Sequence, residues 1–265
     1  MTTVKDIYNY LDGIAPFRYQ ESYDNAGILI GDHDMDVKGI LVSLDTTDAV
    51  IHDAVDQGCN VVVSHHPIIF GGVKRIDYNH YISKTIIAAI KHDVAVIAIH
   101  TNLDNVLHSG VNEMIASKIG VADLEILNPN RQFDESGQVG SGVIGNLATP
   151  TPTLEYLSTV KKKMQAGVIK YTELVHDKVQ RVAICGGSGS FLLPAAIASG
   201  ADLFITSDYK YHEYFDANGQ IIIADIGHYE SEQYTSEQLS QLISQNFSNF
   251  AVRLTKVNTN PVNYL

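Results

Sequence analysis

Apolar residues recur at Val4, Ile7, Tyr8, Leu11 and Ile14, the spacing of one helical face. Thr3 stands where a cap belongs, and Asp6 takes the position at which a capping box carries Glu or Gln. A polar turn at residues 22–27 leads into a short strand over 28–30 closed by Gly31. Residues 39–45 read as a fully buried strand ending in the carboxylate of Asp45. Thr46 or Thr47 then caps a helix to about Gln57, with Gly58 as its stop. The alternation continues with a strand over 60–64, a helix over 82–92, a strand over 94–100 and a helix over 111–119 ending at Gly120. Continuous β-branched runs between helices predict parallel strands covered on both faces.

From residue 125 to 152 the texture turns polar, Gly-rich and Pro-bearing, which predicts strands and turns and a domain boundary near its start. Beyond it the pattern predicts a helix over 153–165 capped by Thr153, a strand over 179–185, a turn over 186–190 and a helix over 191–198. Strands over 201–206 and 220–225, one helix over 229–245 and a strand over 251–254 complete the chain. The fold class is therefore α/β, with two α/β domains of mostly parallel buried strands. Residues 1–124 with about 226–265 form the first domain, and about 125–225 the second.

At 265 residues and 45% apolar content, the chain can bury a sizeable core without covalent staples. Its 18 Lys and Arg stand against 30 Asp and Glu, a formal charge of −12. Such a surface repels phosphate backbones, and the only basic run is Lys161-Lys162-Lys163, so nucleic acid is not an expected partner. Cys59 and Cys185 cannot build a disulfide framework and suit a reducing compartment. No apolar core of a signal peptide and no stretch of about 18 apolar residues is present, so a cytoplasmic location without a membrane partner is expected.

Chemistry gathers where open α/β sheets bind ligands, at the carboxyl ends of strands. One predicted strand ends in Ser64-His65-His66-Pro67, another in His100-Thr101-Asn102-Leu103-Asp104, and a third leads into Gly227-His228-Tyr229-Glu230-Ser231-Glu232. Imidazole and carboxylate together suit a borderline divalent ion such as Zn²⁺, Mn²⁺ or Fe²⁺. His228 and Glu232, four apart at a helix start, share a face with Cβ atoms about 5–6 Å apart. Adjacent His65 and His66 cannot easily share one ion, and carboxylates can bridge two, which argues for a dinuclear site. No thiolate accompanies them, against a closed structural zinc site. His212, in Ser207-Asp208-Tyr209-Lys210-Tyr211-His212-Glu213, is a further candidate near the chemistry.

Gly186-Gly187-Ser188-Gly189 suggests a phosphate-cradling loop but matches neither the P-loop nor the dinucleotide fingerprint, and reads as a tight turn with close helix packing. No nucleophile elbow surrounds Ser188 or Ser190, so serine hydrolysis is not expected.

These clusters, with Tyr23-Asp24-Asn25-Ala26-Gly27, Ser43-Leu44-Asp45-Thr46-Thr47 and the Cys185–Gly189 segment, resemble the NIF3 family over nearly the whole chain, in its compact form without an inserted middle domain. Members are often described as GTP cyclohydrolase 1 type 2 homologs. Tyr23 stands where the family often has Trp, and Thr206-Ser207-Asp208 where it often has Thr-Gly-Asp. The resemblance implies a dinuclear site between the two α/β domains of a toroidal homohexamer. Its ligands would be His65, His66, Asp104, His228 and Glu232, holding two divalent cations (Zn, Mn or Fe), with a carboxylate bridging. His100 would stand close to the site, just outside it or as an occasional ligand; His212 remains, from its own neighbours, a candidate just outside the site or for substrate. Two functional classes follow. One is a metal-dependent hydrolase acting on a small molecule, of the GTP cyclohydrolase kind or a phosphoesterase; the other is a non-enzymatic metal-binding or partner-binding ring.

Overall fold

The computed structural model describes residues Met1–Leu265. The chain forms two compact units, Met1–Leu103 with Tyr234–Pro261, and Asp104–Gln233 with Val262–Leu265. In chain order the elements are α1 (Val4–Ile14), β1 (Gly27–Ile30), β2 (Gly39–Ser43), α2 (Asp48–Asp56), β3 (Val61–Ser64), α3 (Tyr81–Lys91), β4 (Ala95–Ala98) and α4 (Thr101–Asp104). There follow α5 (Val111–Ile119), β5 (Val121–Pro129), β6 (Gly140–Pro152), α6 (Thr153–Lys163), β7 (Lys170–Tyr171), β8 (Lys178–Ser188), α7 (Leu193–Ala198), β9 (Leu203–Ser207) and β10 (Ile222–Asp225). The last are α8 (His228–Glu232), α9 (Thr235–Asn246) and β11 (Ala251–Leu254).

The first unit is built on a five-stranded sheet in the order β1-β4-β3-β2-β11. β11, β2, β3 and β4 run parallel, and β1 pairs antiparallel with β4 at the edge. Leu41, Val62 and Val96 point to one face, where they pack with Val50, Ile51 and Ala54 of α2 and Ala88 and Ala89 of α3. Ile40, Val42, Val61, Val63 and Ile97 on the other face are also fully buried, which is why these strands carry unbroken apolar runs rather than alternation. α1 starts in a full capping box: Asp6 N–H donates to the Thr3 hydroxyl at 3.3 Å, and Thr3 N–H to the Asp6 carboxylate at 2.8 Å. Tyr10 on that helix donates to the Leu242 carbonyl of α9 at 2.7 Å.

The second unit holds a six-stranded mixed sheet in the order β5-β6-β8-β9-β10-β7. Only β8–β9 and β9–β10 are parallel; β5–β6, β6–β8 and β10–β7 are antiparallel. The expectation of mostly parallel strands therefore fails here. β5 and β6 follow one another without a crossover helix, and that connection permits only an antiparallel pair. α5 packs against β5 and β8 of this sheet, so residues 104–124 belong to this unit and not to the first, and the division falls at Leu103 instead of residue 124. On the return it falls at Gln233 instead of about residue 225.

Three local expectations are corrected. Thr153 does not cap α6; Pro152 occupies the cap position, and the Thr153 hydroxyl donates to the His176 carbonyl at 2.5 Å. Residues 186–188 are not a turn but the end of β8, where the pairing with β9 shifts register between Ile184 and Ser188. Gly187 takes up that irregularity at φ +63°, and its carbonyl accepts the hydroxyls of Thr206 at 3.1 Å and Ser207 at 2.6 Å. The single helix over 229–245 is two, α8 and α9, because its two halves serve different cores. Gln233 at the end of α8 donates to the Met164 carbonyl at 2.9 Å within the second unit, whereas Leu239 and Ile243 of α9 are buried in the first.

Candidate functional site

In the first unit, parallel pairing in register brings the polar residues to one end of the sheet. Ser43, Ser64 and Ala98 lie side by side on β2, β3 and β4. The ladder runs one step further, with His65 N–H to Ser43 O at 3.3 Å, His66 N–H to Leu44 O at 2.9 Å and Ile99 N–H to Ser64 O at 2.9 Å. Asp45, His65, His66 and His100 therefore leave the sheet together. The ring centroids of His65, His66 and His100 are 4.9, 5.2 and 5.3 Å apart, and one donor atom from each lies within 4.8 Å of the others. His100 is thus part of the cluster and not a bystander outside it.

Each imidazole in the cluster is held through Nδ1. His65 Nδ1 meets the Ile99 carbonyl at 2.9 Å, His66 Nδ1 the Asp45 carboxylate at 2.8 Å, and His100 Nδ1 the Asp24 carboxylate at 2.8 Å. A carbonyl or carboxylate only accepts, so Nδ1 of each ring carries a proton. That placement of the proton is the one a metal-binding histidine adopts when an oxygen orients it from behind. Asp24 is itself gripped by Thr101, whose N–H and hydroxyl donate at 3.0 and 2.5 Å, and by Asn25 N–H at 2.6 Å. Burial alone would raise its pKa, but the bond and charge of His100 and the other donors bring it down to about 2.

In the second unit the donors again lie at carboxyl ends of parallel strands. β9 runs into Asp208 at φ +60°, and β10 into Gly227 at φ +93°, after which α8 begins at His228. His228 Nδ1 meets the Asp208 carboxylate at 2.7 Å, repeating the pattern of the first unit, and Nε2 lies 3.1 Å from Glu232 Oε2. Glu232 is buried, and its donor oxygen lies within 4.8 Å of one from Asp104. Asn112 sets the Asp104 segment: its amide donates to the Asp104 carbonyl at 3.0 Å while its oxygen accepts from Gly186 N–H at 2.9 Å. A Cβ on Gly187 would collide with Glu232 Oε1, so the bulged glycine leaves room for the carboxylate. The Cys185 thiol is buried, which pushes its pKa up, and the charges of Asp104 and Glu232 push it further; it is no thiolate donor.

The donor chemistry fits a divalent ion: His65, His66 and His100 each bring a ligand atom within 4.8 Å of the others, and buried Glu232 lies beside His228 at 3.1 Å and within 4.8 Å of a donor oxygen of Asp104. His212 does not join them: it is exposed, its ring packed against Tyr211 and Phe215 at 5.1 and 6.3 Å. Sequence reasoning gave no role to Asp24, Asp45 and Asp208. The signal was present for Asp45 and Asp208, each the first or second residue past a strand, whereas Asp24 comes from a turn remote in sequence.

The family model described as Duf34/NIF3 (NGG1p interacting factor 3) matches residues 2–261. The chain belongs to the Duf34/NIF3 family. A Campylobacter jejuni relative named "GTP cyclohydrolase 1 type 2 homolog" is 30% identical over 267 residues, covering 98% of this chain and 99% of its own. A Staphylococcus aureus relative of the same name is 28% identical over 367 aligned positions, covering 99% of this chain and all of its own. The excess of that alignment over the chain's 265 residues places this protein among the compact NIF3 members. The crystal structure of Staphylococcus aureus protein SA1388 superposes with TM-score 0.91 at 30% identity, covering 100% of this chain and 99% of that one. No helix of this NIF3 protein is long and apolar enough to cross a membrane.

Proposed function

We propose that this NIF3 protein is a metal-dependent hydrolase that holds two divalent cations (Zn, Mn or Fe) on His65, His66, Asp104, His228 and Glu232, with His100 beside them. The observation that carries the reading is the repeated Nδ1 anchoring: four imidazoles, of His65, His66, His100 and His228, are each oriented by an oxygen fixed at Nδ1, and their donor atoms fall in groups of His, Asp and Glu donors lying within 4.8 Å of one another. Bound divalent ions would supply Lewis acidity and a water acidic enough to deliver hydroxide near neutral pH. The chain's own part is to orient the ligands: Ile99, Asp45 and Asp208 each fix a proton on Nδ1 of one ring, and the buried Glu232 would set a carboxylate against the cations. As the carboxylates of the set, Asp104 and Glu232 would offset the repulsion between two cations held there.

The names of the relatives support hydrolytic opening of a purine nucleotide ring as the first activity to test. The assembly proposed with it is a homohexamer, which the family resemblance supports. The test is elemental analysis of protein purified without chelator, then turnover of GTP and of a model phosphodiester with Mn²⁺ or Zn²⁺ restored. Metal-dependent turnover lost in His65→Ala upholds the hydrolase. Tightly held metal with no turnover of either substrate overturns it in favour of a metal-binding or partner-binding ring.

A further inference from the structure

Two aromatic rings stand exposed beside the histidine cluster of the first unit. Tyr23 is 60% exposed and Phe70 48% exposed. Their centroids are 6.2 Å apart at 37°, near enough to form one continuous apolar surface. Phe70 also meets the His100 ring at 5.9 Å, edge to face at 71°. Those rings are held in place from beneath. Asn25 donates its side-chain amide to the Ile69 carbonyl at 2.6 Å, tying the turn that bears Tyr23 to the loop that bears Phe70. Asp24, next to Tyr23, binds both His100 and Thr101. The aromatic surface is therefore anchored through Asp24 to the same histidine that lies among the Nε2 donors.

We infer that Tyr23 and Phe70 form a stacking platform for the planar heteroaromatic ring of a small-molecule ligand, placed so that the ring lies beside His100. Exposed, pre-positioned aromatic rings recognise flat π-systems at little entropic cost, and every heteroaromatic base has a π-face to offer. A ring seated there has its polar edge next to His100, whose donor atom is within 4.8 Å of those of His65 and His66. Phe70 is followed by Gly71 and Gly72, both exposed and with open space around them. The platform names the ligand class for the hydrolase proposed above and to that extent rests on it, yet its own geometry lies wholly in the aromatic residues and not in the metal ligands.

The experiment compares wild type with Tyr23→Leu, Phe70→Leu and the double variant, and with the ring-preserving Tyr23→Trp and Phe70→Tyr. Binding of guanosine, GMP and ribose 5-phosphate is measured by titration calorimetry, beside elemental analysis of each protein. Guanosine and GMP should each bind about fivefold or more weakly to either Leu variant and weaker still to the double one. The ring-preserving variants should bind as wild type does, and ribose 5-phosphate should not distinguish any of the proteins. Loss for GMP but not for guanosine, equal losses for ribose 5-phosphate, or no binding of guanosine to wild type at millimolar concentration overturns the platform. Metal content unchanged across the series is expected; platform-dependent binding by a protein that holds no metal would overturn the metal-dependent hydrolase and leave the platform standing.

Discussion

His228 Nε2 lies 3.1 Å from Glu232 Oε2, one turn along α8. In metal-free protein the pair is ionic: the charge of Glu232 is the largest influence on His228, burial opposes it, and bonds to Asp208 and Glu232 add to it, raising the imidazole to about 11. A divalent ion taking Nε2 must displace that proton. Metal uptake at pH 7.5 should therefore release close to one more proton in wild type than in His228→Ala, read from calorimetric enthalpies in buffers of different ionisation heat. Without metal, the stabilisation from this pair is fully present below the ordinary histidine range and is lost as pH rises through about 11. Equal proton release in the two proteins would show that His228 is not a ligand.

Glu232→Ala should cost more metal than either single histidine substitution. A bridging carboxylate serves two ions and offsets their repulsion, whereas an imidazole nitrogen serves one. Metal content is expected to fall from about two per chain to well below one in Glu232→Ala, and to about one in His65→Ala or His66→Ala. All three should melt cooperatively by circular dichroism, since neither sheet's apolar core involves these side chains. Equal losses in all three would remove the bridging role.

Asp45 and Asp208 touch no ion in this reading, yet each sets the tautomer of a ligand at 2.8 and 2.7 Å. Asp45→Asn and Asp208→Asn should each weaken metal affinity by about 10–100-fold without changing the number of ions bound at saturation. Competition against a chromogenic chelator measures this. Unchanged affinity in both would mean that the Nδ1 bonds are structural only.

Asp24, held by His100, Thr101 and Asn25, has its pKa brought down to about 2. A depressed carboxylate contributes stability that is present above the unfolded value of 3.8 and is lost as pH falls through the folded one. In chelator-treated protein, Asp24→Asn should be less stable than wild type by about 2 kcal/mol at neutral pH. The gap should close as pH falls from about 4 to about 2. Denaturant melts across that range test it; a gap independent of pH would assign the loss to packing.

The local rules were readable where they depend on neighbours in the chain. The α1 capping box, the αL stop at Gly120 and the terminal strand β11 lie where the sequence pattern puts them, because caps and periodicity act over three or four residues. The same rules misplaced a cap at Thr153 and a turn at 186–190. Glycines and a threonine fit several local motifs equally well, and their partners, the His176 carbonyl and the hydroxyls of Thr206 and Ser207, lie too far along the chain to be read locally.

The sequence by itself determined an α/β chain with histidines and carboxylates at strand ends, since buried parallel strands demand apolar runs and leave polar residues only where those runs stop. Tertiary structure alone decided which of those ends meet. Register between β2, β3 and β4 aligned Asp45 with His65, His66 and His100; the Tyr23–Asn25 turn brought Asp24 onto His100 from 76 residues away; and the division of 229–245 into α8 and α9 gave its halves to different cores. Strand pairing and side-chain orientation are set by which surfaces bury one another, and that choice is made by the whole chain at once and has no local code.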